Sequence, residues 1–450
     1  MECESHQESV VSVIDHPLWV VSADMGYGHQ RATWPFRHVA HSGIIAAGDN
    51  EHASQSERKL WRRYLRLYEA FSRAKGIPII GKRIFSVLDH ILHIPALYPI
   101  RNLSHTTFEV NQLHRQLDRG LGEGVMNAMR EEHLPLLTSF YVPAIKADLR
   151  GHESVYSIIC DADLHRVWVA REPWESRINY FAPCGKAAQR LRSYGVPPER
   201  IFLTGFPLDE ALLGGRDLAT LRHDLAIRLR VLDPTNRFHT LHGASVRHFL
   251  EGYADTPVPE GRALTITYAV GGAGALKEIG ARLMKTFKRR LIEGTMRLNL
   301  VAGTRKEVAD YFYEERLDIV GDAESVRVLY ASNLDSYFTQ FNEAIRTTDI
   351  LWTKPSELSF YVGLGLPLVM TSTIGSQERY NRKWLMEIGA GMKQEKVDFA
   401  DHWLFDQLDN GRFAELAWMG FLRARKLGTY HIMDVIRTGS FVRSDSPLLR

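Results

Sequence analysis

Hydrophobic positions along the chain fall into short continuous runs, separated by stretches with helical periodicity. Before residue 210 the runs are LWVVSA, GIIAAG, SFYV, YSIIC, INYF and IFLTG, and after residue 262 they are LTITYAV, RLNLVAG, DILW and PLVMTS. Continuous apolar strands that alternate with helices are typical of parallel sheets covered by helices on both faces. The pattern therefore predicts an α/β protein with two doubly wound, Rossmann-like domains, and such sheets bind ligands at the carboxyl ends of their strands.

The two series of strands are separated by a charged stretch that also contains proline and glycine, and this stretch sets the predicted domain boundaries. At 450 residues the chain is too long for one ordinary core. We predict an N-terminal domain over residues 1–210, a linker or insert over 211–262, a C-terminal domain over 263–425 and a tail over 426–450.

Composition and charge mainly exclude certain partners and sites. A net charge of +3 is too small for a general nucleic-acid-binding surface, so no nucleic acid is expected as a partner. The three cysteines form no CxxC pair, which favours thiols of a reducing compartment over a disulfide framework or a zinc site. We see no secretory leader and no apolar run of about 18 residues, so we expect a cytoplasmic protein.

The first candidate for chemistry is the segment SADMGYGHQRAT, residues 22–33, which leads from a predicted strand into a predicted helix. Gly26 and Gly28 permit a tight turn and a close approach of the backbone to a ligand, and the helix behind them offers free N–H groups. His29 stands at the start of this helix, where an imidazole could take a proton from a hydroxyl near neutral pH. The alternative is a plain turn that His29 caps.

Three loops in the second half of the chain are candidates for binding a diphosphate sugar. GGAGALKEIG, which starts at Gly271, is a Gly-rich turn onto a helix, although it is neither a GxGxxG fingerprint nor a P-loop. Two polar loops follow the runs DILW and PLVMTS, and we expect them to converge. There Glu357 could hold ribose hydroxyls, and Gln377 and Glu378 could hold sugar hydroxyls. The alternative is helix capping, which suits both Ser356 and Glu378.

A carboxylate pair with the spacing of a metal-binding DxD motif occurs at Asp161 and Asp163. Its position in the first half of the chain, away from the expected donor site, argues against a metal there. Asp161 or His165 could instead face the cleft and orient His29. Solvated turn residues are the alternative.

Residues 58–101 combine a basic amphipathic helix with an apolar segment, GIPIIGKRIFSVLDHILHIPALYP. A basic, aromatic-rich helix can lie in an anionic membrane interface. More often such a stripe packs on its own domain, which is the interpretation we favour for the helix. Peripheral membrane contact stays a hypothesis for residues 76–99.

Together these motifs resemble the GT-B glycosyltransferases. The branch is that of plant monogalactosyldiacylglycerol synthase, the bacterial processive diacylglycerol glucosyltransferases and the N-acetylglucosaminyltransferase that acts on the peptidoglycan lipid intermediate. Residues 22–33 look like the acceptor-side motif that ends in Gly-His, and residues 160–208 are similar over a longer stretch. GTRKEV, from Gly303, weakly resembles a donor-domain loop of the family, and residues 353–381 look like its donor-binding loops.

The resemblance implies an inverting transfer, without metal or other cofactor, from a nucleotide diphosphate sugar such as a UDP-sugar to a hydroxyl acceptor, for which a lipid such as diacylglycerol is expected. It makes His29 the candidate base, with Asp161 as a second catalytic candidate, and it places Gly26, Tyr27, Gly28 and His165 on the acceptor side. The donor-binding residues that it implies are Gly271, Gly272, Ala273, Gly274, Arg305, Lys354, Ser356, Glu357, Gly375, Ser376, Gln377, Glu378 and Asn381.

The chain departs from the family in the loop between Thr353 and Gly365, which is shorter, so that the ribose-binding glutamate has no strict counterpart. Tyr27 also replaces the usual small residue between the glycines. Two alternatives therefore stay open: a nucleotide-sugar epimerase or hydrolase, which needs additional carboxylates around the sugar, and a non-catalytic nucleotide-sugar-binding protein.

Overall fold

The computed structural model describes residues 16–63, 94–269, 274, 276–373 and 375–450, and it contains two six-stranded sheets. The strands of the first sheet are β1 (Leu18–Ser22), β2 (Ala40–Ala46), β3 (Leu136–Thr138), β4 (Val155–Ile158), β5 (Asn179–Phe181) and β6 (Ile201–Phe202). The strands of the second sheet are β7 (Leu264–Ala269), β8 (Met296–Gly303), β9 (Val326–Tyr330), β10 (Ile350–Thr353), β11 (Leu368–Met370) and β12 (Gly391–Lys393).

Helices connect the strands and cover both sheets. In the first half they are α1 (Tyr27–Thr33), α2 (Phe108–Asp118), α3 (Glu123–Ala128), α4 (Tyr141–Leu149), α5 (Gly185–Ser193), α6 (Glu210–Leu213), α7 (Ala219–Val231) and α8 (Arg237–Phe249). In the second half they are α9 (Lys277–Thr286), α10 (Lys288–Ile292), α11 (Lys306–Val320), α12 (Leu334–Thr347), α13 (Ser376–Ile388), α14 (Ala400–Asp409), α15 (Arg412–Arg423) and α16 (Gly428–Thr438). Residues 55–63 are helical as well, and short 3₁₀-helices occur at Trp34–Val39, Arg166–Trp168, Pro198–Arg200, Glu357–Leu364 and Val397–Phe399.

Each sheet is parallel and has one point at which the strand order reverses. The first sheet has the order β2-β1-β3-β4-β5-β6, so the strand order reverses between β1 and β3. The second sheet has the order β12-β11-β10-β7-β8-β9, so its strand order reverses between β7 and β10. Loops diverge at such switch points and leave a crevice outside the carboxyl ends of the strands, where ligands bind. The expected GT-B fold, two Rossmann-like domains that face a central cleft, is confirmed.

The apolar runs became strands because both faces of each sheet are covered. All six residues of β7, for example, are buried. The prediction of a strand at the run SFYV was wrong. Strand β3 lies just before this run, and Tyr141 begins α4. The Thr138 hydroxyl accepts a hydrogen bond from the Phe140 N–H, so a local side-chain contact turns the chain out of the sheet.

The stretch predicted as a linker or insert folds into helices, and α7 is anchored to the C-terminal domain. Arg228 is buried and donates to the carbonyls of Ile345, Thr348, Leu364 and Gly365. The last helix, α16, returns to the N-terminal domain, where the Thr429 hydroxyl donates to the Leu208 carbonyl.

The helical residues 55–63 include the start of the predicted basic amphipathic helix. Trp61 is buried, and its ring packs on Phe140, with ring centroids 5.9 Å apart. Most of the apolar segment that follows falls in residues 64–93, outside the described residues. Across the described ranges, we find no helix with the length and apolar character that a membrane span requires.

Candidate functional site

Loops of the two domains meet across the cleft, and Tyr27 makes one of these contacts. Tyr27 begins α1 after strand β1, and its hydroxyl accepts a hydrogen bond from the Thr304 N–H at 2.8 Å. The Thr304 hydroxyl lies 3.0 Å from the same oxygen. Gly303, with a φ of 68°, lies so close to Tyr27 that a side chain there would clash. The acceptor-side loop therefore contacts the loop after β8 directly.

His29 lies at the switch point of the first sheet. Its Nδ1 is 2.6 Å from the carbonyl oxygen of Ser139, which follows β3. Because a carbonyl only accepts, we assign the proton to Nδ1 and the lone pair to Nε2. Burial lowers the pKa of His29 below its ordinary value, although the Ser139 carbonyl and the Glu357 carboxylate act in the opposite direction. His29 is therefore neutral at neutral pH, as a general base must be.

Aromatic rings and a thiol complete the surroundings of His29. The Phe140 ring meets the imidazole edge to face at 5.1 Å, and the Trp168 ring lies 6.0 Å away. The Cys160 sulfur is 3.7 Å from Nδ1, and burial raises the pKa of this thiol well above its ordinary value. Cys160 thus stays a neutral thiol beside His29.

Asp161 follows strand β4 and is bound from the opposite domain by Asn381, on α13. The Asn381 Nδ2 donates to Asp161 Oδ1 at 2.7 Å, and its Oδ1 accepts from the Ala162 N–H at 2.7 Å. Burial raises the pKa of Asp161 to about 7, the Asn381 hydrogen bond acts against it, and the carboxylates of Glu357 and Glu378 add to it. Two further carboxylates, those of Glu357 and Glu378, therefore lie near enough to act on Asp161.

Asp163 and His165 each have hydrogen-bond partners within the N-terminal domain. The Asp163 carboxylate is buried and accepts two hydrogen bonds from Arg190, at 2.7 and 2.9 Å. His165 is buried too, and its Nδ1 accepts from the Val167 N–H. We expected Asp161 or His165 to orient His29, and the structure shows Nδ1 of His29 donating to the Ser139 carbonyl.

Glu357, which we predicted to hold ribose hydroxyls, lies against Gly28 in the loop predicted for the acceptor side. One carboxylate oxygen, Oε2, would be 3.2 Å from a side chain placed on Gly28, and the other, Oε1, is 3.3 Å from Nε of Arg31. Arg31 is 4% exposed and also donates to the Tyr337 hydroxyl at 3.0 Å. Its guanidinium lies 4.2 Å from the centre of the Phe341 ring. Arg31 thus inserts from the N-terminal domain into an aromatic pocket of the C-terminal domain.

The other donor-side residues lie around the second switch point. Lys354 pairs with Glu378 at 3.0 Å, and Ser356 immediately precedes the 3₁₀-helix Glu357–Leu364 without capping it through its side chain. Gly375 immediately precedes α13, with the buried Ser376 as the first helical residue. The N-terminus of α13, beside Gln377, therefore has backbone N–H groups that the helix itself does not pair.

The Gly-rich loop after β7 is described only in part. Gly271, Gly272 and Ala273 lie outside the described residues. A side chain placed on Gly274 would lie 3.6 Å from Arg305, so the end of this loop borders the start of α11.

Sequence reasoning missed Arg31, Tyr337 and the Ser139 carbonyl. Arg31 carried a weak signal, because it lies four positions after Tyr27 and thus on the same face of α1. The partners Tyr337 and Ser139 carried none, since nothing local marks a residue that meets a distant part of the chain.

Comparisons of the whole chain with known proteins show distant similarity. A family model described as a domain of unknown function (DUF6938) matches residues 311–408. The chain is 23% identical over 257 residues to a processive diacylglycerol beta-glucosyltransferase of Bacillus cytotoxicus, a match that covers 56% of this chain and 53% of the relative. The chain therefore spans about half the length of the curated relative that it matches, and the similarity is distant.

Two solved structures show similarity of the same distant kind. UDP-GlcNAc 2-epimerase from Neisseria meningitidis, bound to UDP-GlcNAc, has 12% identity and a TM-score of 0.42, with 79% of this chain and 86% of that chain covered. MurG of Acinetobacter baumannii has 15% identity and a TM-score of 0.41, with 73% and 78% covered.

Proposed function

We propose that this protein is an inverting glycosyltransferase that takes a hexose or N-acetylhexosamine from a nucleotide diphosphate sugar. One observation carries the proposal: Glu357, in the loop after β10, lies against Gly28 beside His29, and Asn381 of α13 bonds to Asp161 after β4. A base on one domain and helix N-termini on the other suit attack on one face of a sugar and departure of a diphosphate from the opposite face.

In the proposed reaction, the acceptor hydroxyl gives its proton to Nε2 of His29 while its oxygen bonds to the anomeric carbon. The bond between that carbon and the phosphate oxygen breaks, and the nucleoside diphosphate leaves with the electron pair. Backbone N–H groups at the start of α13 and the ammonium of Lys354 would stabilise the developing negative charge. No metal is needed in this scheme, which is part of the proposal.

For the acceptor we propose a lipid such as diacylglycerol, reached at the surface of a membrane by the N-terminal domain. The distant similarity to a diacylglycerol glucosyltransferase supports a lipid. The apolar and basic composition of residues 76–99 supports membrane contact.

Donor binding is tested by thermal shift with UDP-, GDP- and dTDP-sugars. A ligand at 100 times its dissociation constant that binds only the folded protein should stabilise it by roughly 2.7 kcal/mol. The variant Gln377→Ala should weaken the shift, whereas Gln407→Ala on α14 is the matched control and should retain it. Absence of a shift with every nucleotide sugar would contradict the proposal.

The base is tested by His29→Ala in an assay of nucleoside diphosphate release with diacylglycerol as acceptor. Loss of a general base should lower turnover by about 10²–10⁴-fold while donor affinity is retained. His402→Ala, a change of an exposed histidine on α14, is the control. Full activity of His29→Ala would remove His29 from the mechanism.

A nucleotide-sugar epimerase or hydrolase is a second candidate, and one observation favours it. Burial raises the pKa of Asp161, and Glu357 and Glu378 lie close enough to add to this rise, so the three form the group of carboxylates that such chemistry needs. Incubation with the donor alone separates the two, because only an epimerase or hydrolase turns over without acceptor. Donor binding without turnover under either condition would indicate a non-catalytic binding protein.

A further inference from the structure

Glu357 lies between the two domains and contacts the segment around His29. It begins the 3₁₀-helix Glu357–Leu364 of the C-terminal domain, yet its carboxylate lies against Gly28, the residue before His29. Its other oxygen is held by Arg31, two positions after His29 on α1. The carboxylate is thus positioned by contacts on both sides of His29 in the sequence.

The charge of Glu357 affects the pKa values of His29 and of two groups near it. The Glu357 carboxylate acts to raise the pKa of His29, and it adds to the raised pKa values of Cys160 and Asp161. Its contact with Arg31 leaves Oε2 turned toward the acceptor-side loop. A carboxylate so placed stabilises an imidazolium more than an imidazole.

We propose that Glu357 is a positioning residue for His29, and that the C-terminal domain supplies this carboxylate when the cleft is closed. The inference rests on the proposed function, in which His29 gains a positive charge as it takes the proton of the acceptor hydroxyl. The carboxylate favours that charged state and so strengthens the base. Proton abstraction is thereby coupled to domain closure, because His29 and Glu357 belong to different domains.

The other groups that face His29 do not replace Glu357 in this role. The Cys160 thiol is neutral, and Asp161 directs its carboxylate to Asn381. Arg31, on the same helix as His29, is cationic and would disfavour an imidazolium, but its guanidinium is engaged by Glu357 and by aromatic rings. Phe140 and Trp168 are uncharged.

The experiment is a pH titration of His29 by NMR in full-length protein labelled at histidine Cε1, with the resonance assigned from His29→Ala. In Glu357→Gln, the apparent pKa of His29 should fall by about half a pH unit or more, since an attractive charge has been removed. Glu387→Gln is the matched control, because Glu387 also forms an ion pair across the domains, with Lys186 at 2.5 Å. The control should leave His29 unchanged, and an unchanged pKa of His29 in Glu357→Gln would overturn the inference.

A second variant guards against a folding defect. Glu357→Gln leaves Arg31 without its anionic partner, so the double variant Arg31→Met/Glu357→Gln removes both charges and keeps an apolar side chain among the rings. The pKa of His29 should stay below that of Arg31→Met alone. Equal values in these two variants would also overturn the inference.

Kinetics with UDP-glucose and dioleoylglycerol in mixed micelles separate this role from ribose binding. A positioning role predicts a lower kcat with an unchanged KM for the donor, whereas a ribose contact predicts the reverse. If the natural protein turns over but Glu357→Gln leaves the pKa of His29 unchanged, the inference is contradicted and the proposed function is not. The NMR change without turnover, for any donor, supports the electrostatic effect of Glu357 on His29 and contradicts the proposed function.

Discussion

Asn381 holds Asp161 across the cleft, since its amide donates to the carboxylate at 2.7 Å while its oxygen accepts from the next backbone N–H, that of Ala162. Asn381 is fully buried and also donates to the Pro355 carbonyl. One side chain of α13 therefore bonds to three groups from two domains. This arrangement leads to the first prediction.

Asn381→Ala should lower the free energy of unfolding by about 1–3 kcal/mol, because it leaves buried polar groups without partners. Urea denaturation measures the change. Asn127→Ala is the control, since Asn127 bonds only to the exposed side chain of Arg130 among the contacts described, and its removal should have little effect. Equal stability of the two variants would contradict the role given to Asn381.

The raised pKa of Asp161 predicts a pH dependence of stability. With a pKa of about 7 in the folded protein, Asp161 retains a proton that the unfolded chain has released, so folding is favoured at low pH. This contribution should decline as the pH rises from about 4 to about 7 and level off above that. The difference between the natural protein and Asp161→Asn, measured by urea denaturation across this interval, isolates the effect. A difference that does not vary with pH would contradict the raised pKa.

Tyr27→Phe tests the contact between the acceptor-side loop and the loop after β8. It removes the oxygen that accepts from the Thr304 N–H, and the unpaired donor should cost about 1–3 kcal/mol of unfolding free energy. Tyr313→Phe, a change at a tyrosine that is 47% exposed, is the matched control. Denaturation curves that coincide for the two variants would show that the Tyr27 hydroxyl does not join the domains.

Arg31→Met should destabilise the protein by about 3 kcal/mol, because it leaves the carboxylate of Glu357, which is only 11% exposed, without its cationic partner. The exposed pair of Arg282 and Asp398 provides the control, and Arg282→Met should cost less than about 1 kcal/mol. Addition of Glu357→Gln to Arg31→Met should recover part of the loss. A larger loss in the double variant would mean that Glu357 has another partner of equal importance.

Arg228→Met tests how the helices of residues 211–262 are attached to the C-terminal domain. Arg228 donates to carbonyls at the ends of α12 and of the 3₁₀-helix Glu357–Leu364, so its loss should cost about 3 kcal/mol. Arg230, on the same helix, bonds to the Ala254 carbonyl near the surface, and Arg230→Met should cost far less. Limited proteolysis would show whether α7 is released first.

Much of the fold follows from local pattern. Strands such as Leu264–Ala269 could be predicted because a parallel strand covered on both faces must be apolar at every position. The run SFYV has the same composition, but the contact between Thr138 and Phe140 directs it out of the sheet. Composition alone does not distinguish these two cases.

The sequence by itself determined that two α/β domains form and that the loops of His29, Asp161 and Glu357 lie at strand ends, because periodicity and turn residues act over a few neighbouring positions. Only the tertiary structure decided which of these side chains meet. Arg31 and Glu357 are 326 positions apart, and Asn381 and Asp161 are 220 apart, so no local pattern links them. Their contacts exist because two separately ordered sheets present the ends of their strands to one cleft, and that placement depends on the packing of the whole chain.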